Sequence, residues 1–158
     1  MACVAGISAT RPVTQAASAE KGTYALIMRC RKTGHTQIGK LGRMMLRPGF
    51  YIYVGSAFGP GGIQARVSRY RRRDKKLHWH IDYLRRHTAL IETWTLPGTV
   101  NQEHDWAAKL ATRYEIAYPR FGASDCRCPS HLFYTAEMPS AEKLGSDPLL
   151  SHKLQQLT

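Results

Sequence analysis

The sequence is short of acidic residues and of long apolar runs. Eleven Asp and Glu stand against 23 Lys and Arg, which gives a formal net charge of +12. No apolar run approaches the roughly 20 residues that a helix needs to cross a bilayer. The charge indicates an anionic partner, and nucleic acid is the leading candidate. An anionic membrane surface is the competing interpretation, but the basic segments lack a lipid-facing apolar stripe, so we expect DNA and no membrane as the partner.

The cysteine pattern excludes a disulfide scaffold. The four cysteines, Cys3, Cys30, Cys126 and Cys128, follow no disulfide-framework spacing. No basic stretch precedes the short apolar segment at the N-terminus, which makes a secretory signal a poor explanation of that segment. These observations predict a reduced, cytoplasmic protein.

Length and hydrophobic content predict one domain with flanking segments. Of the 158 residues, 43% are hydrophobic, which is enough for a single buried core. Residues 1–21 are rich in Ala, Ser and Thr and are predicted to form a disordered leader. Residues 22–138 are predicted to form the domain, and residues 139–158 a weakly ordered C-terminal tail. The oligomeric state stays open at this stage.

Apolar periodicity predicts a mixed fold. Strands are predicted at residues 23–30, 50–55, 89–96 and 131–137, and helices near 63–70, 78–87 and 101–114. A further extended segment, 36–42, is predicted to pair in a hairpin with the segment before it. Strands that alternate with helices predict a small α/β or α+β sheet with helices packed on it.

The predicted strand 50–55 runs through a glycine-rich turn into a basic helix. Alternation places Tyr51 and Tyr53 on the face opposite the expected core, and Gly55 leaves room for a close approach by backbone or ligand. In the helix, Arg66 and Tyr70 are four residues apart and share a face. Because a guanidinium can clamp phosphate oxygens and a phenol can donate or accept a proton, strand and helix together could hold a phosphodiester.

The arginines of this helix also predict a nucleic-acid surface. Arg69, Arg71, Arg72 and Arg73 lie in it or just after it and are expected to contact the phosphate backbone. A basic face that binds nucleic acid without chemistry would explain the same residues. The alternative to an enzyme is therefore a non-catalytic nucleic-acid-binding protein that uses this face.

Two tripeptides and their spacing resemble the GIY-YIG nuclease superfamily. They are "GTY" at Gly22–Tyr24 and "YVG" at Tyr53–Gly55, with Arg66 eleven residues after the second motif's glycine. The longer strings "GFYIYVGSAFGPGG", "HWHIDYL" and "DCRCPSHLF" are similar to its Uri-type branch, some members of which are fused to DNA-repair enzymes. The resemblance covers residues 22–135 and implies a GIY-YIG-like fold: a small three-stranded, mainly antiparallel sheet flanked by helices, with an extra hairpin.

The resemblance implies a metal-dependent endonuclease that hydrolyses DNA phosphodiester bonds with Mg²⁺ or Mn²⁺, in DNA repair or the processing of structured DNA. In that family the two motif tyrosines line the site, here Tyr24 and Tyr53. An arginine corresponding to Arg66 contacts the scissile phosphate. Tyr70 assists one turn later, and Glu103 in a later helix holds the metal.

Four positions depart from the family pattern, and one of them, Val54 in place of Ile, is expected to be neutral. Tyr70 stands where the Uri-type branch favours His, and Ser56 stands where repair-incision relatives carry a lysine. Thr23 replaces an aliphatic residue, and we expect this change to be neutral.

The helical pattern around Glu103 supports a special role for it independently of the resemblance. Apolar residues at i+3, i+4 and i+7 place the carboxylate on the packed stripe, where an acid needs a partner. The alternative is a carboxylate that favourably meets the helix dipole. For the general base we prefer Tyr53, with its pKa lowered by Arg66 and the metal, while Tyr24 holds the water or the phosphate. The reverse assignment of the two tyrosines stays open.

Two histidines flank Trp79. His78 or His80 could contact the leaving group, as a histidine in a similar place does in a homing endonuclease of this superfamily, and His80 is included among the catalytic candidates. The alternative for either residue is a surface or helix-capping histidine.

A short cysteine loop carries a third set of candidates. Cys126, Cys128 and His131 form C-x-C-x2-H, which supplies three possible zinc ligands. A structural zinc site needs four ligands, no second pair follows, and Cys30 could complete the set only if the fold brings its strand alongside the loop. We therefore predict a packed loop with reduced thiols and no requirement for zinc.

Overall fold

A computed structural model describes residues 20–72, 76–140 and 155–157. In chain order its elements are β1 (Gly22–Cys30), β2 (Gly34–Ile38), a 3-10 turn (Gly39–Leu41), β3 (Gly42–Leu46), β4 (Gly49–Ala57), α1 (Gly62–Arg71), α2 (His80–Arg85), β5 (Thr88–Pro97), α3 (Glu103–Ala111), β6 (Glu115–Ile116), β7 (Leu132–Thr135) and β8 (Gln155–Leu157). Cys3, Arg73, most of the predicted leader and most of the predicted tail lie outside the described residues.

Long antiparallel strands form the centre of the fold. The main sheet has the order β6-β7-β4-β1-β5-β8, and all its neighbouring pairs are antiparallel. The predicted α+β class with a separate hairpin is confirmed. The three long strands β4, β1 and β5 make up the expected three-stranded sheet, which β7, β6 and β8 extend at its edges. Strand β8 lies within residues 139–158 and pairs with Thr93–Thr95 of β5.

The hairpin differs from its predicted pairing. Residues 36–42 are not one extended segment, because a 3-10 turn at Gly39–Leu41 interrupts them. Strand β2 therefore pairs with the following strand β3 and not with the preceding segment. Gly39 and Gly42 have φ angles of 49° and 125°, which glycine adopts more readily than other residues, so the chain can reverse at this point.

Both faces of the central sheet are buried. We expected one face to be core and the other to present two free phenols, but the tyrosine-bearing face is also packed. It contacts α1, α2 and the hairpin through a cluster that includes Tyr24, Leu26, Met28, Tyr51, Tyr53, Ile63, Val67, Ile81 and Met44. The opposite face packs on α3 through Ala25, Ile27, Ile52, Val54, Trp106 and Leu110. Burial on both faces explains why β1 reads as an almost continuous apolar run.

The predicted helices exist, with shifted ends. Helix α1 buries Ile63, Val67 and Tyr70 as their spacing predicts. Helix α2 begins at His80, and α3 ends at Ala111. No helix of the described residues is long and apolar enough to span a membrane.

Candidate functional site

A close contact between β1 and β4 positions the first motif tyrosine. Tyr24 faces Gly55 across the two strands. A Cβ atom at Gly55 would lie only 2.5 Å from Cζ of Tyr24, so glycine is required for the ring to lie across β4. The Tyr24 hydroxyl then reaches helix α1, where it lies 3.0 Å from the Tyr70 hydroxyl. The room predicted beside Gly55 is thus filled by the tyrosine of the other motif.

An open cleft of about 400 Å³ lies beside this tyrosine pair. It is bounded by β1, β4, α1, the start of α2 and the start of α3. All six residues that the sequence indicated as catalytic or metal-binding line it: Tyr24, Tyr53, Arg66, Tyr70, His80 and Glu103. Residues separated by as many as 79 positions are therefore brought to one surface.

Burial dominates the ionisation of the cleft tyrosines. It raises the pKa of Tyr24 and of Tyr53 well above the ordinary value. Tyr70 and Glu103 raise the pKa of Tyr53 further, and the opposing effect of Arg66 is smaller. We expected Arg66 and a metal to lower the pKa of Tyr53 so that it could act as a general base. The effect of Arg66 by itself is too small to do so. At neutral pH both phenols are uncharged and act as hydrogen-bonding groups.

His80 is held in a defined orientation at the start of α2. Its Nδ1 lies 3.0 Å from the backbone N–H of Gly122, which donates to it. This contact assigns the proton of the neutral ring to Nε2. Burial also lowers the pKa of His80, so the ring is neutral at neutral pH. In this state His80 can donate a hydrogen bond from Nε2 but offers no free base.

Trp79 forms part of the cleft wall next to the basic helix. The guanidinium carbon of Arg66 lies 4.7 Å from the centre of its ring, and that of Arg69 lies 4.5 Å from it. Both distances are within the range of cation–π attraction. Trp79 had not been identified as a site residue, although it stands between the two histidines considered above.

Asp82 fixes this wall from inside the protein. Its Oδ2 accepts hydrogen bonds from the backbone N–H groups of His78 and Trp79, at 2.8 and 2.9 Å, and from Arg69 at 2.6 Å. Asp82 is buried, and it stands in the first turn of α2, where a carboxylate satisfies free N–H groups. In the sequence, the position of Asp82 three residues after Trp79 was the signal that could have predicted its role at the start of α2.

The three described arginines among the four assigned to nucleic acid lie in two different environments. Arg69 is paired with Asp82 and stacked on Trp79, so its guanidinium organises the cleft wall. We reassign it from the DNA surface to that internal role. Arg71 and Arg72 are exposed at the end of α1, as a phosphate-binding surface requires, and Arg73 lies outside the described residues.

The start of α3 is held in place by two side chains. Asn101 Oδ1 accepts the backbone N–H of Glu103 at 2.8 Å, and Thr23 Oγ1 accepts that of Gln102 at 2.9 Å. Thr23 was expected to be a neutral replacement. It is instead fully buried, and it connects β1 to the helix that carries Glu103.

Glu103 has the partners that its position on the packed side of α3 demands. Its Oε2 lies 2.8 Å from Nδ1 of the buried His131. Burial by itself would raise the pKa of Glu103, but contacts with His131 and Ser56 outweigh burial and hold the pKa below its ordinary value. The carboxylate is therefore ionised at neutral pH. An ionised oxygen ligand that lines an open cleft fits Mg²⁺ or Mn²⁺, because Mg²⁺ retains several waters and needs few protein ligands.

The cysteine loop meets α3 beside the cleft. The ligand atoms of His104, Cys126, Cys128 and His131 all lie within 4.8 Å of one another. The premise that a fourth ligand is missing was wrong, because the fold brings His104 from a distant helix to the loop. Burial and the neighbouring Cys126 thiol raise the pKa of Cys128 to about 11.

These features define an α+β protein with a polar cleft at the junction of its sheet and three helices. Residues 23–150 match the model of a family described as a domain of unknown function, DUF123, and the chain belongs to that family. The matched span contains every cleft residue named above. Neither curated proteins nor solved structures gave a match.

Proposed function

We propose that this protein is a GIY-YIG-type endonuclease that hydrolyses DNA phosphodiester bonds with Mg²⁺ or Mn²⁺. One observation carries the proposal: Tyr24, Tyr53, Arg66, Tyr70 and Glu103, which the family resemblance selected, line one cleft. They come from β1, β4, α1 and α3, so the convergence is a property of the fold and not of neighbouring sequence. DNA repair or the processing of structured DNA is the proposed setting.

The cleft offers both charge and hydrogen-bond donors to a phosphodiester. Arg66 lies between Trp79 and the tyrosine pair, and its guanidinium can donate two parallel hydrogen bonds to phosphate oxygens. The neutral hydroxyls of Tyr24 and Tyr53 can orient the attacking water or the phosphate. His80 can donate a hydrogen bond from its Nε2–H to the leaving oxygen. The fold holds these side chains in place before the substrate binds, so they can align the phosphate and the attacking water for the reaction.

Glu103 would hold the divalent metal. Its pKa is depressed, and Ser56 supports the carboxylate beside the cleft. A metal bound there supplies a nucleophilic water and neutralises charge on the departing oxygen. The exposed Arg71 and Arg72 extend the positive surface along which the DNA backbone would lie.

Glu103 and Arg66 give opposite expectations for binding, which makes them the test. Glu103→Ala should abolish nicking of supercoiled DNA with Mg²⁺, yet leave DNA affinity without added metal unchanged or slightly tighter, because a negative charge near phosphate is removed. Arg66→Ala should also abolish nicking but weaken DNA binding. Asp105→Ala is the matched control, since Asp105 is an exposed carboxylate in the same helix. If the Glu103→Ala variant nicks DNA at the wild-type rate, the assignment of Glu103 as the metal ligand is refuted.

A non-catalytic DNA-binding protein is the second candidate, and the buried, uncharged tyrosines favour it. They are consistent with a cleft that binds phosphate without activating a nucleophile. Plasmid, branched and single-stranded DNA should therefore be tested with Mg²⁺ and with Mn²⁺. If the wild type binds these substrates and cuts none of them, the binding function is correct and the nuclease proposal fails.

A further inference from the structure

Four side chains with metal-binding atoms converge outside the catalytic machinery described above. His104 is the second residue of α3, while Cys126, Cys128 and His131 lie in the loop before β7. Cys126 Sγ lies 3.4 Å from Nε2 of His131. The rings of His104 and His131 lie 5.9 Å apart, centre to centre. Two separate parts of the chain thus contribute two sulfurs and two imidazole nitrogens to one small volume.

The spacing of these atoms suits a tetrahedral ion. Zinc bonds of roughly 2.0–2.3 Å place tetrahedral ligands about 3.3–3.8 Å apart. The Cys126–His131 distance of 3.4 Å already falls in that range, and no two ligand atoms of the group are more than 4.8 Å apart, so the pairs need to approach by at most about 1–1.5 Å to reach tetrahedral spacing. Two thiolates and two imidazoles are a ligand set typical of structural zinc. A cysteine nucleophile with a histidine base would leave the second thiol and the second imidazole unexplained.

The loop is already held in the conformation that such a site needs. One guanidinium, that of Arg120, donates to the backbone carbonyls of Cys126 and Cys128, each at 2.8 Å. The backbone of His131 is fixed on both sides, since its N–H donates to Phe121 and its carbonyl accepts from Val54. These contacts fix the backbone beneath three of the four ligands before any ion binds.

The orientation of His131 connects this cluster to the cleft. Its Nε2 faces Cys126, and its Nδ1 lies 2.8 Å from Glu103 Oε2, an ion-pair distance at which the ring N–H is not aligned on that oxygen as a hydrogen bond. A metal-bound histidine commonly gives its other ring N–H to a carboxylate, which fixes the ring and its tautomer. Glu103 occupies that place for His131 and at the same time lines the cleft.

We propose that His104, Cys126, Cys128 and His131 bind one structural zinc ion, and that this ion, through His131, positions the carboxylate of Glu103. Four protein ligands leave no open coordination position, so the ion binds no substrate. The zinc site stands on the geometry of the cluster, whereas the use of Glu103 in the cleft rests on the proposed function. Glu103 is a positioning partner of the zinc site and a separate candidate ligand for Mg²⁺.

The first experiment measures metal on the wild-type protein. After dialysis against metal-free buffer without chelator, elemental analysis should find one zinc per chain. Replacement of zinc by Co²⁺ should give the intense visible absorption of a tetrahedral cobalt thiolate. Removal of zinc by a strong chelator should lower the melting temperature, and added zinc should restore it. Substoichiometric zinc together with a spectrum that lacks cobalt–thiolate bands would overturn the zinc site.

Substitutions then identify the ligands. Cys126→Ser and Cys128→Ser should lose stoichiometric zinc, while Cys30→Ala should keep it, because Cys30 is a buried cysteine of β1 outside the cluster. Equal zinc retention in all three variants would overturn the assignment. The Co²⁺ spectrum of the wild type needs no variant, so the proposal stays testable even if a serine variant fails to fold.

A last pair of variants tests the link between zinc and the cleft without measuring cleavage. Glu103→Ala should weaken zinc affinity about 10–100-fold, and Glu103→Gln should weaken it less, because an amide oxygen can also accept a proton from Nδ1 once zinc holds the ring. Asp105→Ala should leave the affinity unchanged. Unaltered zinc affinity in Glu103→Ala would refute the link. Zinc content is measured in the absence of DNA. Loss of zinc from a variant can therefore be distinguished from a failure of the nuclease proposal.

Discussion

Gly55→Ala tests the contact that places Tyr24 in the cleft. The added Cβ would meet Cζ of Tyr24 at 2.5 Å, so the ring must retreat by about 1 Å to reach an ordinary contact distance. Gly55 does not have a positive φ angle, and alanine therefore causes no backbone strain there. The whole effect comes from the collision with the ring. Since the Tyr24 hydroxyl bonds to Tyr70 inside the protein, its retreat also separates two buried hydroxyls.

The expected loss of stability follows from three contributions. Overpacking costs about 1–3 kcal/mol. A buried hydroxyl left without its partner costs about 1–3 kcal/mol more. Replacing glycine in a strand returns about 0.5–1 kcal/mol. The net loss is about 1–5 kcal/mol, which in a chain of this size lowers the melting temperature by roughly 2–20 °C.

Thermal unfolding followed by circular dichroism measures this loss, and Gly98→Ala is the matched control. Gly98 is exposed, and a Cβ there would meet nothing within 4 Å. This control should stay within about 1 kcal/mol of the wild type. In a Tyr24→Ala background the cost of Gly55→Ala should largely disappear, because the ring that causes the collision is absent. If Gly55→Ala melts within 2 °C of Gly98→Ala, the packing of Tyr24 over Gly55 is refuted.

Two further predictions concern the cleft wall and the basic surface. Asp82→Asn should destabilise the protein by about 2–4 kcal/mol in urea unfolding, because it leaves the half-buried Arg69 without its carboxylate partner. The control Asp105→Asn should change stability by less than about 0.5 kcal/mol. A loss below about 1 kcal/mol for Asp82→Asn would contradict the buried pair. Arg71→Ala combined with Arg72→Ala should reduce the slope of log affinity against log salt concentration by about 1.8. Arg43→Ala, at an exposed position of β3, should leave the slope unchanged. An unchanged slope in the double variant would place the DNA surface elsewhere.

Local pattern was sufficient for the central strands and for helix α1, and the motif resemblance selected six of the residues that line the cleft. Strands β1, β4 and β5 are rich in apolar, aromatic and β-branched residues, and Ile63, Val67 and Tyr70 repeat at helical spacing, so their elements could be predicted. Tyr24, Tyr53 and Arg66 stand in motifs of fixed spacing, which allowed them to be selected before any contact between them was known. Their ionisation could not be predicted, because it depends on burial.

The missed features depend on contacts between distant segments. The hairpin register is decided by left-handed glycines at 39 and 42, and an alternating sequence does not reveal φ angles. Strands β6 and β8 have two and three residues, which is too short for any periodicity. Asp82 and His104 lack a motif of their own. Each gains its role only when the fold brings Arg69 or the cysteine loop to it.

The first turn of α3 explains how one short segment can serve two sites. Glu103 and His104 are consecutive, and successive helical side chains point about 100° apart, so one can face the cleft while the other faces the cysteine loop. Thr23 and Asn101 fix the start of the helix and therefore the directions of both side chains. His131 then joins the two sites through Glu103. A change that moves the start of α3 must displace both groups together, whereas loss of a loop thiol leaves the start of the helix in place and reaches Glu103 through its neighbours in the loop, His131 among them.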